Sequence, residues 1–331
     1  MARSRTFTFL DPKSYEAAVP ANWEMLVTKK GDFQAKLTQV EMSGLWLQRA
    51  SETLPRVVRS SVSVERPPIF FLTDANQPPL HHSGIDVSFG DLVAVGSGSE
   101  HHHRTEAPVH WATISSTRGD LASGGRALVG RDLAMPSVTT HFRPSSLLMS
   151  RLMKLGEAAG QLAKSTADIP AQPARALEHA IVHALVMCLT EGTPAEINLG
   201  RRRHLSIIAQ FEEILAANRT RPLYLSEICA AVGVSERTLR LLCHEHLGMG
   251  PIRYLWIRRM NLARDALVVA DSAKSTVTEI ATEFGFWELG RFSVEYRALF
   301  GETPSAVLHR PPEDPRKSKA SRFFFANAEY A

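Results

Sequence analysis

The chain has 331 residues, 44% of them hydrophobic and 22% charged, enough for two or three globular domains with ordinary cores. No apolar run of about 18 residues occurs, which excludes a conventional transmembrane helix. The net charge of +4 is uneven: residues 1–200 carry 19 basic and 19 acidic side chains, residues 201–331 carry 19 and 15. The whole excess therefore lies in the C-terminal part, the direction that suits contact with phosphates. Met1-Ala-Arg-Ser-Arg-Thr lacks the apolar core of a signal peptide, so the expected location is the cytoplasm, with no membrane contact. Cys188, Cys229 and Cys243 have no metal-type spacing and fall on apolar helical positions, which predicts buried free thiols.

Residues 1–20 read as a polar lead-in. From about Trp23 to Ser116, short apolar runs such as Leu45-Trp-Leu, Ile69-Phe-Phe-Leu and Leu92-Val-Ala-Val are separated by turn residues, Gly31-Asp32 and Gly90-Asp91 among them. Many short strands with such turns predict a barrel or sandwich. Residues 117–144 are ambiguous. Leu148, Leu152, Leu155, Ala159 and Leu162 then share one helical face, and Leu177, Ile181, Leu185, Cys188 and Leu189 share another. Gly192 to Gly200 reads as a linker. Residues 201–218 are helical again, with Leu205, Ile208, Phe211 and Leu215 on one side. The Pro-rich, basic tail from Pro311 is expected to be disordered.

An internal repeat with an offset of about 52 residues is the strongest signal. Leu225-Ser-Glu-Ile-Cys-Ala-Ala-Val-Gly-Val aligns with Val277-Thr-Glu-Ile-Ala-Thr-Glu-Phe-Gly-Phe, and Leu247-Gly-Met-Gly-Pro251 with Phe300-Gly-Glu-Thr-Pro304. Each copy has a short amphipathic helix, a glycine where the chain must take a positive φ, an apolar corner residue and a second helix. Ser235 caps the second helix of the first copy, and Thr276 with Glu279 fits a capping box in the second. This is the physics of a helix-turn-helix, whose second helix can enter a DNA major groove. Between the copies, residues 252–269 form a connecting helix with Ile252, Leu255, Trp256, Met260, Ala263 and Leu267 as its buried face. Its length of roughly 25 Å is somewhat less than one duplex turn of about 34 Å, so both units could address successive major grooves.

Residues 201–310, most specifically 224–310, resemble the DNA-binding domain of the AraC/XylS family of transcriptional regulators. Ser235-Glu-Arg-Thr-Leu239, Arg258-Arg-Met-Asn-Leu-Ala-Arg264, Ile280-Ala, Gly285-Phe and the two Gly-x-x-Pro endings carry the likeness. Gly285-Phe-Trp-Glu-Leu-Gly-Arg-Phe292 is similar to the subgroup containing the ethanolamine-operon regulator. The resemblance implies a seven-helix domain with two reading helices. Its DNA-contacting positions fall on Ser235, Glu236, Arg237, Thr238, Arg240 and Leu241 in the first, and on Glu288, Leu289, Gly290, Arg291, Ser293, Val294 and Arg297 in the second. Leu241 and Val294 stand where many members have Arg, and Gly290 is a weak helix former. Arg258, Arg259 and Arg264 are expected to pair with acids or phosphates.

The overall expectation is an α+β protein. Residues 1–144 would be a cupin-like β-barrel that senses an effector, 145–200 a helical dimerisation segment and linker, 201–310 the all-α DNA-binding domain, and 311–331 a tail. The implied function is an effector-responsive activator, with double-stranded DNA, a small molecule, RNA polymerase and a second copy of the chain as partners. Two alternatives stand beside it. One is a ligand-independent DNA binder. The other is a metal-dependent cupin-type enzyme using His81, His82, His101, His102, His103 or His110. Adjacent strand histidines face opposite sides, so the expectation is no catalytic residue, no metal and no cofactor.

Overall fold

The computed structural model describes residues 2–19, 21–61, 65–96, 100–165, 168–196 and 199–310. The N-terminal part runs β1 (Ala2–Phe9), α1 (Pro12–Glu16), β2 (Asn22–Val27), β3 (Ala35–Glu41), β4 (Leu45–Glu52), β5 (Arg56–Ser61), β6 (Pro68–Leu72), β7 (Leu80–His82), β8 (Ile85–Val87), β9 (Leu92–Ala94), β10 (Glu100–Arg104) and β11 (Val109–Ser116). It continues through α2 (Arg118–Val129), β12 (Thr140–Arg143), α3 (Ser146–Ser165), β13 (Asp168–Ile169), α4 (Ala171–Glu191) and β14 (Thr193–Glu196). Seven helices follow: α5 (Leu199–Ala217), α6 (Leu225–Val232), α7 (Glu236–Leu247), α8 (Pro251–Val269), α9 (Val277–Glu283), α10 (Leu289–Phe300) and α11 (Pro304–Leu308).

The strands form two antiparallel sheets. One has nine strands in the order β13-β1-β3-β4-β11-β6-β9-β12-β14, the other five in the order β2-β5-β10-β7-β8. Both are open, which corrects the expectation of a closed barrel: the end strands of neither sheet pair with each other among the described residues. The larger sheet instead has two dry faces. Alternation along β11 shows why, because Val109 and Trp111 enter the core between the sheets while Ala112 and Ile114 join a core under α2, α3 and α4. A sheet covered on both sides is one middle layer of three and gains nothing from closing on itself.

Three segments depart from their sequence reading. The lead-in contains β1, which pairs with β3 from Arg3↔Glu41 to Phe9↔Ala35. Its alternating Arg-Ser-Arg-Thr-Phe-Thr-Phe pattern fits a strand near a sheet edge, where little apolar surface is required. The ambiguous stretch resolves into α2, capped by Thr117, and β12. The linker contains β14, which pairs with β12 from Thr140↔Glu196 to Arg143↔Thr193. The tail and Phe323-Phe-Phe lie outside the described residues.

The apolar stripes of α3 and α4 are occupied. Leu152, Ala159, Ile181, Leu185 and Cys188 are buried in one core with Leu47, Ile69 and Ile114 of the nine-stranded sheet. The side chain of Leu162 is outside the described set. All three cysteines are free and buried, and burial pushes the Cys188 and Cys243 thiols up to about 12.

The histidines of the N-terminal part separate by strand parity. His101 and His103 point with His82 into one cluster, with ring centroids 5.1 Å apart for His82–His101 and 6.4 Å for His82–His103, and His141 lies 5.7 Å from His82. His102 faces the other way. Burial holds His82 and His103 well below their ordinary value and takes His141 to about 4. Each of these imidazoles binds its proton more weakly in the folded chain than in the unfolded one, where it titrates near 6.5. Unfolding therefore takes up protons in acid. Stability should be fully present above pH 6.5 and fall as the pH drops towards 4. Denaturant titrations across that window should show the decline, and His141→Gln should make it shallower; an equal slope in the variant would contradict the assignment.

Candidate nucleic-acid interface

Two helical pairs, α6–α7 and α9–α10, flank α8. In each pair the chain leaves the first helix through a glycine in the left-handed region, Gly233 at φ 74° and Gly285 at φ 79°. A side chain at Gly233 would meet nothing within 4 Å, so its requirement is conformational. At Gly285 space matters too, since a Cβ would lie 3.2 Å from Nη1 of Arg259. The corner residues Val234 and Phe286 are partly buried against the two helical cores.

The starts of the two reading helices differ. Ser235 Oγ accepts from the Thr238 backbone N–H at 3.2 Å and caps α7. Glu288, expected within the second reading helix, is instead the residue preceding α10 and provides no side-chain cap. The capping box of the second unit lies one helix earlier: Thr276 Oγ1 accepts from Glu279 N–H at 3.2 Å, and Glu279 accepts from Thr276 N–H at 2.8 Å.

The expected contact residues share an exposed surface. Ser235, Glu236, Arg237, Arg240, Leu241, Glu288, Gly290, Arg291, Val294 and Arg297 are exposed, while Thr238, Leu289 and Ser293 are half-buried. Leu241 and Val294 are 64% and 70% exposed, unusual for aliphatic side chains on amphipathic helices. Among the described residues Arg237 and Arg297 form no ion pair. Arg240 donates through Nε to Glu236 at 3.0 Å, one turn back, and Arg291 to Glu295 at 2.8 Å, one turn on. Such exposed pairs are screened by solvent and weak, so both guanidinium groups can exchange them for phosphate or base contacts. Trp287, 73% exposed at the corner before α10, was missed as a candidate. Its only sequence signal is a large aromatic at the corner where the repeat has a small polar residue, Ser235.

The connecting helix has 19 residues, about 28 Å at 1.5 Å per residue. Its sequence-predicted face needs correction at its start: Ile252 is 58% exposed, because it lies on the outer side of the first turn, and Leu255 and Trp256 are half-buried. Met260, Ala263 and Leu267 are buried as expected. A second face, carrying Arg258, Asn261 and Arg264, is buried by the N-terminal part. Asn261 Nδ2 donates to the Val27 carbonyl at 3.3 Å and Asn261 Oδ1 accepts from Val27 N–H at 3.2 Å, so the side chain mimics a neighbouring strand beside β2. Arg264 pairs with Asp11 at 3.0 Å. Arg258 pairs with Glu212 of α5 and Glu24 of β2, both at 3.1 Å. Arg259 is half-buried over the Phe286 ring at 5.4 Å. Glu212 is wholly buried: burial pushes its carboxyl up, but His102 and Arg258 outweigh that and hold it below its ordinary value.

Residues 228–310 match the family profile described as a helix-turn-helix domain. Over 100 residues the chain is 42% identical to a Rhodococcus erythropolis protein named "Probable thc operon regulatory protein", a match that covers 30% of each chain. Over 115 residues it is 31% identical to the XylDLEGF operon transcriptional activator 2 of Pseudomonas putida, covering 34% of this chain and 73% of that one. The chain belongs to the AraC/XylS family of transcriptional regulators. The matched stretch spans under a third of the length of the thc operon relative. A crystal structure of a transcriptional regulator with an AraC-type DNA-binding domain, from Chromobacterium violaceum, is 30% identical over 34% of this chain and 94% of that one, with a TM-score of 0.30. The matched residues include α7 and α10, which carry the contact positions that the family resemblance implies. No helix among the described residues is long and apolar enough to cross a membrane.

Removing Arg258 would leave Glu212 as a buried charge without its arginine partner, facing His102 at 3.6 Å. Arg258→Ala is expected to cost roughly 3–5 kcal/mol of stability, measured by urea unfolding of the full chain. A loss below about 1 kcal/mol would show that the cluster is not a structural constraint.

Proposed function

We propose that the chain is an effector-responsive transcriptional activator that reads operator DNA unequally with its two reading helices. The observation that carries this is the exposed face of α7, where Arg237 stands, without an ion pair among the described residues, on a helix fixed by the Ser235 cap. Arg237 and Arg240 suit bidentate recognition of guanine, and Leu241 suits a thymine methyl group. On α10, Gly290 offers no side chain, Val294 suits a methyl contact, and Arg291 and Arg297 suit phosphate. The remaining contact positions, Ser235, Glu236, Thr238, Glu288, Leu289 and Ser293, would position the backbone against the sugar-phosphate chains. This division makes the first unit the main source of sequence discrimination and the second largely an anchor.

Residues 1–144 are proposed as the sensing part, with sheets of the cupin-like kind, and 201–310 as the reading part. A cavity of about 350 Å³ lies on the seam between them, lined by Ser83, His101 and Thr139 on one side and by Leu205, Ser206 and Glu213 of α5 on the other. Its volume is in the range of small-ligand sites, and its walls come from both parts, which supports an effector that biases how they dock. Because the apolar stripes of α3 and α4 are already buried, a homodimer would use other surfaces of 145–200. The relative named as an operon transcriptional activator supports activation as the output, and RNA polymerase is the proposed partner for it. The Gly285–Phe292 segment supports a place near the ethanolamine-operon regulators.

Genome-wide footprinting would supply the operator. On that DNA, Arg237→Ala should relax discrimination at one base pair by about 1–3 kcal/mol, read as anisotropy titrations against operator variants at fixed salt. Unchanged discrimination would reject direct reading by Arg237.

A further inference from the structure

Behind the reading surface, the last turn of α7 meets α5. Glu245 and His246 lie on that turn and His204 on α5. Nδ1 of His204 is 3.5 Å from one carboxylate oxygen of Glu245, and Nε2 of His246 is 3.9 Å from the other. The two imidazole rings stand nearly perpendicular, at 88°, with centroids 6.2 Å apart. One donor atom from each of the three residues lies within 4.8 Å of the other two.

The hydrogen bonding around these atoms is incomplete. His246 is 1% exposed, and neither of its ring nitrogens has a hydrogen-bond partner; Nδ1 of His204 is likewise buried and unpartnered. Buried polar atoms are almost always satisfied, and leaving several unpaired in one place is costly. The packing is also tight on the far side: a Cβ on Gly84, in the β7–β8 turn, would lie 2.9 Å from Cε1 of His246. The ring is thus held against the N-terminal part and cannot swing away to find water.

We propose that His204, Glu245 and His246 form a site for one divalent transition-metal ion of the zinc class, which ties the C-terminal turn of the first reading helix to α5. Two imidazole nitrogens and a carboxylate oxygen are a donor set that suits zinc. Bonds of about 2.0–2.1 Å to tetrahedral corners place ligand atoms about 3.4 Å apart, close to the His204–Glu245 separation. The His246–Glu245 separation needs a shift of about half an ångström, within reach of a half-exposed glutamate rotamer. Water would take the fourth position, since Glu245 and His204 are each about one-third exposed. Burial takes His246 down to about 4, so no proton competes for its nitrogen at neutral pH. The bound ion would cross-link two helices whose relative position sets the orientation of α7, and α5 also lines the seam cavity. Metal loading would therefore act on DNA affinity without touching DNA.

The test uses the purified full chain, stripped with a chelator and dialysed against zinc, with metal analysis of the retained protein and cobalt(II) absorbance as a geometric readout. One tight equivalent is expected, with the visible absorption of a four-coordinate ion. His204→Ala and Glu245→Gln alter half-exposed side chains, so each should fold, as circular dichroism would verify. Each should weaken binding by more than the roughly 10–100-fold that loss of an outer-shell partner costs. Retention of no equivalent by the unaltered chain would overturn the proposal. So would unchanged tight binding in both variants, which would assign the ion to the separate cluster of His82, His101, His103 and His141.

Discussion

Arg258 of α8 holds three parts of the molecule at once. Its guanidinium pairs with Glu212 on α5 and Glu24 on β2, and Glu212 in turn faces His102 of β10 at 3.6 Å. A buried pair of this kind contributes little net stability compared with apolar packing, but it enforces a specific arrangement, because any displacement strands a charge in low dielectric. The connecting helix α8, helix α5 and the smaller sheet of the N-terminal part are therefore held to one another. Asn261 and Arg264, one and two turns further along α8, extend the same constraint to β2 and to Asp11 beside α1.

That constraint gives the fold a means of coupling. The helical pairs flank α8, and α8 is gripped by the N-terminal part through Arg258, Asn261 and Arg264, beside Tyr254 and Ile257, which share a core with Leu26 and Val57. The seam cavity opens between β10 and α5, next to the same grip. A ligand that prefers one docking of the two parts would change the orientation of α7, and the coupling free energy would be its difference in affinity for the two dockings. The three-residue cluster at His246 packs on Gly84, next to Ser83 of the cavity wall, so both features lie where α5 and α7 meet the small sheet.

Much of the reading part was legible in the sequence. The repeat located both helical pairs, because the corner geometry imposes residues that a single sequence can reveal: glycine at a positive φ, an apolar plug, a cap and a Gly-x-x-Pro ending. The count of seven helices and the contact positions at Arg237, Arg240, Leu241, Arg291 and Val294 came instead from the family resemblance, and the structure places those side chains on an exposed surface. The assignment of Ile252 to the buried face failed at the helix end, where one residue's rotation decides exposure. Glu288 fell one position outside its helix for a similar reason, as helix starts are set by capping and the sequence has no strong capping residue there.

What the sequence alone determined about this protein is local and periodic: strands before residue 116, amphipathic helices after 145, and the doubled corner that reads DNA. What only the tertiary structure decided is where those surfaces go. Strand alternation says that two faces exist, but not that one sheet buries both and stays open. A helical stripe demands a partner without naming it, and the stripes of α3 and α4 proved to be met by the chain's own sheet. Basic residues such as Arg258 and Arg264 read equally well as phosphate ligands until their acids, more than 200 residues away in Glu24 and Asp11, are seen beside them. The physical reason is the same throughout: spacing along a chain encodes local geometry, whereas ion pairs, sheet order and ligand clusters join residues whose separation in sequence carries no information about their distance.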